Sequence, residues 1–325
     1  IVLISHTVLY CKFCRGPRAE GHDLWETYRM SPSSVLAAAV AALVALPCYA
    51  AARDWTTPAV TQVADFGWGN QPTGVAVTSA GKENRVFVCF PRWFANHSAP
   101  TAAEVHVDGA GKTTLAPYPS EAWNAWTPNS TVAETREQLV NVQSVFTDHM
   151  GRLWMLDTGS AFLGNVTNEN GPKLLQVDLE TDTVLRTYNL SDLTLPTSYL
   201  NDVRISVDGK HAFLTDSNMG GLRHLDLETG RGRVLLAEHP STHSEAGFVT
   251  SVEGKSMIMV TGSPAAFQSD GIAVIEDYVY YHACTGRTLY RIQQDFLIDP
   301  TYTVAQVEAA VEVVSVSGVP DGMLL

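Results

Sequence analysis

The chain has 325 residues, of which 45% are apolar and 17% charged. That composition excludes a disordered chain and allows one large packed domain. The formal charge of −13 excludes a nucleic-acid partner, because phosphate binding needs a basic face that displaces counterions. A cationic or neutral ligand fits that charge better; the plainer reading is that the acidity only keeps the protein soluble.

Residues 1–29 lack an initiating Met and match nothing downstream, so they read as a leader outside the fold. The long apolar run is Val35–Leu46 (VLAAAVAALVAL). As a helix it rises roughly 18 Å, short of a bilayer core of about 30 Å. With Met30 before it and Ala50–Ala52 after it, the run reads as the h-region of a signal peptide over 30–52. The expected product is a secreted protein over 53–325, without membrane attachment. Sequons at Asn96, Asn129, Asn165 and Asn189 would then be usable for glycosylation. Cys11-x-x-Cys14 has no second pair to complete a zinc site, and Cys48 leaves with the signal peptide. Cys89 and Cys284 remain, and fall on distant repeats, so two buried free thiols are expected rather than a disulfide.

A unit of alternating strands and tight turns then recurs. It appears as Gln71-PTGVAVTSAGKENRVFVCFPR, Gln143-SVFTDHMGRLWMLDTG, Asn201-DVRISVDGKHAFLTDS and Asp270-GIAVIEDYVYYHACTG. The segments D-H-M-G, V-D-G-K and I-E-D supply hairpin turns. Further strands follow each hairpin, as in Lys173-LLQVDLETDTVLRTYNL and Gly221-LRHLDLETGRGRVLLA, with D-L-E-T turns at equivalent places (Asp178–Thr181, Asp226–Thr229). Four strands per unit is the blade of a β-propeller. Residues 91–138, rich in Pro, Trp and Asn, read as a long decorated connection. Apolar spacing at Val304, Val307, Ala310 and Val311 predicts a short helix. Asp321-Gly322-Met323 resembles Asp270-Gly271-Ile272 and reads as the start of a fifth unit. The expected fold is therefore all-β, a propeller truncated at its C-terminus after about four complete blades; a complete four-bladed propeller with a ragged tail is the alternative.

Several of these segments together, Asn70-QPTGVAV, Tyr118-PSEAWNAW, Gln143-SVFTDHMGRLWMLDTG, Tyr199-LNDVRIS, Leu214-TDSNMGGL and Ser269-DGIA, resemble the yellow/major royal jelly protein family. The resemblance covers roughly 60–325. It implies a six-bladed propeller, more distantly similar to gluconolactonase/regucalcin and paraoxonase. The functions it implies vary: binding of amines, dopachrome conversion, or a nutritive role, and fold analogy alone does not choose.

In propellers the first residues of the innermost strands ring one mouth of the channel. On this chain they are expected to be Gln71, Gln143, Asn201 with Asp202, Asp270 and Asp321. His282 follows Tyr280-Tyr281 on an inner strand and has two readings, an acid/base facing the same opening and, more commonly for such a residue, a satisfied core histidine. Converging oxygen donors suit Ca²⁺ or another divalent cation. Resemblance to the lactonases implies Asn201, Asp202, Asp270 and Asp321 as its ligands. Gln71 stands where those enzymes have Glu, which disfavours metal-dependent hydrolysis. The other reading of these residues is strand and turn capping. Trp68, Phe90, Trp93, Trp123, Trp126, Tyr199 and Tyr281 are candidate walls for an aromatic amine; Trp154 is expected in the core. Asp108-GAGKTT has His106 where a phosphate loop needs Gly, so it reads as a hairpin turn. No G-x-S-x-G or H-E-x-x-H occurs, which leaves serine hydrolase and zincin chemistry without support. The function expected from sequence is small-ligand binding at the channel mouth. A metal-dependent lactonase or dopachrome-type isomerase and a non-catalytic structural protein are the alternatives.

Overall fold

In a computed structural model, the described residues are 3–4, 62–64, 66, 70–78, 84–162, 166–195, 197–259, 261–316 and 318–323. The leader, the signal-peptide segment, Cys11, Cys14, Cys48, Trp68 and Asn165 lie outside them.

Four antiparallel four-stranded sheets follow one another along the chain. Blade 1 is Gly74–Val77, Val86–Cys89, Ala102–Val107 and Thr113–Pro117. Blade 2 is Val142–Thr147, Arg152–Ala161, Val166–Asp178 and Thr183–Asn189. Blade 3 is Leu200–Ile205, His211–Asp216, Leu222–Asp226 and Gly232–Leu235. Blade 4 is Ser269–Ile275, Tyr278–Ala283, Thr288–Gln293 and Glu312–Val316. The first strand of each blade contacts the first strand of the next, which is the radial order of a propeller.

Strand periodicity explains why the blades stack. Successive side chains leave opposite faces of a strand, so a strand clamped between two neighbours must be apolar throughout. In blade 2, Leu153 and Met155 join the cluster shared with Phe87 and Ala102 of blade 1. The intervening Trp154 and Leu156 join the cluster shared with Val203, Ala212 and Leu214 of blade 3. Blade 3 repeats the pattern, with Phe213 pointing the other way toward Ile272, Val279 and Tyr281 of blade 4. Trp154 is fully buried, as expected, and its Nε1 donates to Asp148 Oδ2 at 2.8 Å.

The predicted turns are present. Asp148 Oδ1 accepts from the N–H groups of Met150 and Arg152, each at 3.0 Å. Asp178 accepts from Glu180 N–H, and Asp226 from Glu228 and Thr229 N–H. The Asp108–Lys112 segment is a hairpin turn. Two expectations are corrected. Residues 91–138 are not only a connection, since Ala102–Val107 and Thr113–Pro117 inside it are the outer strands of blade 1. Their Thr and Val content favours strand over the loop that the surrounding Pro and Asn suggest. The helix covers only Val304–Ala309, capped by Thr303, and Glu312–Val316 is the outer strand of blade 4. There the β-branched run V-V-S-V outweighs the helical spacing of the preceding residues.

Candidate functional site

The site is built from the entry of each innermost strand. Val142 pairs with Asp157, Leu200 with Asp216 and Ser269 with Ala283. Immediately after each pair the register slips, between Val142/Ser144, Leu200/Val203 and Ser269/Ile272. Three blades thus carry an irregularity of the bulge kind at one level, a device that re-aims side chains next to functional sites. The residues at this level are Gln143, Asn201 and Asp270, followed by Ser144, Asp202 and Gly271.

The same alignment corrects blade 1. Val75 pairs with Val88 as Val203 pairs with Leu214 and Ile272 with Tyr281, so the ring position is Thr73. Its Oγ1 donates to Gln143 O at 2.8 Å. Gln71 lies two residues earlier, is exposed, and takes no part in these hydrogen bonds. A proline at 72 and the matching initial Gln conceal the offset in sequence; aligning T-G-V with Q-S-V, N-D-V and D-G-I would reveal it.

Asn201 Nδ2 donates to Asp270 Oδ2 at 2.9 Å and to Ser217 Oγ at 3.2 Å. Thr215 Oγ1 donates to Asp270 O at 2.5 Å and accepts from Asp202 N–H at 3.1 Å. Asp202 Oδ1 accepts from Ser144 Oγ at 2.7 Å and Arg204 Nη1 at 2.6 Å. Arg204 Nη2 in turn donates to Met323 O at 2.6 Å, which ties the Asp321–Met323 segment to blade 3. Asp321 is exposed, yet a carboxylate oxygen of it, one of Asp270 and Cys284 Sγ all lie within 4.8 Å of one another. His282 is buried against Gly271 and the Asp321 backbone.

Charge accumulates here. Burial, then the neighbouring Asp321 and Asp202, hold the Asp270 carboxyl well above the usual carboxylate range. Desolvation of its carboxyl by the surrounding protein, and Asp202, also raise Asp321, although the residue as a whole is exposed. Burial depresses His282 below the ordinary imidazole value, so at neutral pH it is an uncharged ring. Burial raises the Cys284 thiol, with Asp270 and Asp321 adding to it, so it stays protonated. Cys89 is also a free thiol, fully buried, pushed up to about 12 by its burial; Cys284 is only partly buried.

On the blade 2 side a relay fixes one amide. Trp93 Nε1 donates to Tyr199 Oη at 2.8 Å, and Tyr199 Oη donates to Gln143 Oε1 at 2.7 Å. Gln143 Oε1 is thereby satisfied and Nε2 has no partner among the described residues. Of the candidate aromatics, Trp93 and Tyr199 adjoin the ring. Phe90, Trp126 and Tyr281 are buried in packing instead, and half-buried Trp123 packs on the core between blades 1 and 2. The residues missed in sequence are Thr73, Ser144, Arg204 and Cys284. Arg204 carried a signal, since with one residue between them it can reach back to Asp202 along the same strand face.

The profile of the family described as Major royal jelly protein matches residues 140–318. Protein yellow of Drosophila melanogaster is 32% identical over 147 residues, a match covering 43% of this chain and 26% of that relative. Protein yellow of Drosophila subobscura is 31% identical over the same length, covering 25% of it. The matched segment thus spans about a quarter of these relatives. Among solved structures, hydrazine synthase of Kuenenia stuttgartiensis is similar with a TM-score of 0.40 and 12% identity, covering 78% of this chain and 75% of that one.

Proposed function

The chain belongs to the major royal jelly protein family, and from that premise we propose that it binds a small organic cation, an aromatic amine, at the mouth formed by Thr73, Gln143, Asn201, Asp270 and Asp321. The observation that carries this reading is the cluster of Asp202, Asp270 and Asp321, acids of which, among the described residues, Asp202 alone has a cationic partner, Arg204. An ammonium group relieves that repulsion and accepts a buried carboxylate as its counter-ion.

The hydrogen-bond polarity of the ring supports a particular ligand shape. Gln143, its oxygen held by Tyr199, presents a donor. Asn201, its amide nitrogen committed to Asp270 and Ser217, presents an acceptor beside the acidic cluster. A ligand with an ammonium at one end and an oxygen at the other matches that order, with Trp93 and Tyr199 near its ring.

Calcium suits these donors less well. It takes about 6–8 oxygens, whereas Asp202 Oδ1 is already occupied by Ser144 and Arg204, blade 1 supplies Thr73 rather than an acid, and Cys284 brings a protonated sulfur. The metal-dependent alternative rests on the Asp270, Cys284 and Asp321 grouping and predicts lactone or dopachrome turnover that a chelator abolishes.

Secretion is part of the same reading. Its support is the h-region at 35–46 and the exposure of the sequon residues Asn96, Asn129 and Asn189. Among the described residues no helix is long and apolar enough to cross a membrane.

Calorimetry with a series of arylethylamines tests the proposal. Saturable binding is expected, tightening as pH rises because the proton that Asp270 keeps above the usual carboxylate range competes with the ligand, and weakening at least tenfold in Asp270→Asn. Absence of binding across the series, or undiminished binding by that variant, overturns it.

A further inference from the structure

A second cleft lies at the other end of the strands, between blades 2 and 3. Its volume is about 190 Å³, and its lining includes Arg152, Trp154, Arg186, Tyr188, Lys210 and Glu228. Arg152 and Lys210 belong to the hairpins that follow the innermost strands, whereas the ring residues begin those strands. Six residues of strand separate the two levels by roughly 20 Å, so this cleft is distinct from the channel mouth.

Its charge runs against that of the chain. Only 21 of 325 residues are Lys or Arg against 34 acids, yet three of the cations converge here. Asp148 neutralises Arg152 at 2.7 Å. Arg186 forms no ion pair among the described residues: its Nη1 and Nη2 donate to the backbone carbonyls of Leu227 and Glu228. Lys210 likewise forms no ion pair among the described residues. Glu228 is the one acid among the lining residues, so the lining itself carries three cations against one acid, with Asp148 behind Arg152 and Asp208 beside Lys210.

The guanidinium groups are also held in place. Arg152 stacks over Trp154 at 5.3 Å from the ring centroid, and Arg186 over Tyr188 at 4.5 Å. Gly209, at φ +70°, lies against Arg152, where a Cβ would sit 2.8 Å from Nη2. Two stacked guanidinium groups, Arg152 anchored by Asp148 and Arg186 by backbone carbonyls, lose little freedom when an anion arrives, and their planar donors match carboxylate, sulfate or phosphate oxygens. The aromatic floor excludes water from one side of the cleft, which strengthens the attraction.

We propose that this cleft between blades 2 and 3 is a binding site for a small oxyanion, held by Arg152, Arg186 and Lys210. It is independent of the amine site, and its failure would leave that reading untouched.

The test uses inorganic sulfate and phosphate against the whole chain, followed by Trp fluorescence and by amide chemical shifts, with chloride at matched ionic strength as the control. Saturable binding is expected, with shifts confined to residues 148–152, 186–188 and 207–210. Lys210→Glu should weaken it at least tenfold without moving the melting temperature, and Arg186→Gln should weaken it similarly. Should Arg186→Gln fail to fold, Lys210→Glu decides alone. Sulfate and phosphate responses no different from chloride, or binding unchanged in Lys210→Glu, overturn the proposal. A response to phosphate or to sulfate alone supports the site and distinguishes its ligand.

Discussion

Asn201 Nδ2 reaches across from blade 3 to donate to Asp270 Oδ2 of blade 4 at 2.9 Å, so the innermost strands of two blades are joined through a carboxyl that burial drives toward its neutral form. The contact is a stability liability at neutral pH. An unfolded aspartate releases its proton near pH 3.9, whereas folded Asp270 keeps it to a much higher pH. Above about pH 4 the unfolded chain therefore binds fewer protons than the folded one, and stability falls as pH rises toward the folded value. Asp270→Asn carries no such penalty and keeps an amide that Asn201 can still bond. It is expected to raise the melting temperature at pH 8 by ~2–4 °C, about 1 kcal/mol, with the gain vanishing by pH 4. Thermal melts of both proteins at the two pH values check this, and a variant less stable than the parent at pH 8 would contradict it.

The blade order was readable from sequence because strands clamped between blades must be apolar on both faces, and runs such as Leu153–Leu156 and Phe213–Leu214 stand out between Asp/Gly turns. Blade 1 was read two residues out of step because Gln71-Pro72 mimics the polar entry of the other units, while the slip in pairing that defines the ring level leaves no trace in residue type. Asp202, Asp270 and Asp321 were legible as repeated polar entries. Arg204 was legible by its spacing from Asp202, whereas Ser144 and Cys284 enter the site through distances that only folding sets.

That offset yields its own prediction. Thr73→Val removes the hydroxyl bonded to Gln143 O and should cost about 1 kcal/mol. Gln71→Ala, at an exposed position outside the network, should stay within about 0.5 kcal/mol of the parent. Urea denaturation of both variants separates them; equal losses would return Gln71 to the ring.

Gly271 is required by close packing rather than by backbone conformation. A Cβ at this position would collide with His282 Nε2 and lie 2.7 Å from Asp321 O. Gly271→Ala must therefore displace either a buried ring or the Asp321 segment. Overpacking of this kind costs typically ~1–3 kcal/mol. Because Asp321 is the softer neighbour, the variant should also lose affinity for arylethylamines. Pairing it with Gly271→Ala/His282→Ala, which restores room, should recover most of the affinity if displacement of Asp321 is the cause.

Asp157 and Lys173 form a buried pair at 3.0 Å, with side chains 0% and 2% exposed, and the two halves are not equally replaceable. Asp157 also accepts from the N–H groups of Val140, Asn141 and Gly159 at 2.7, 2.9 and 2.8 Å, which fix where the chain enters blade 2. Lys173 otherwise meets only the carbonyls of Gln138 and Gly171. Lys173→Met leaves a carboxylate still supplied with three donors and is expected to cost ~3 kcal/mol, the low end for breaking a buried pair. Asp157→Ala orphans three backbone donors and a buried ammonium together, so it should cost more and expose the 139–142 amides to hydrogen exchange. In the double variant the ammonium is gone as well, and its loss should fall at least 1 kcal/mol short of the sum of the single changes. Strict additivity in denaturant melts would show that the ion pair contributes nothing beyond the caps Asp157 provides.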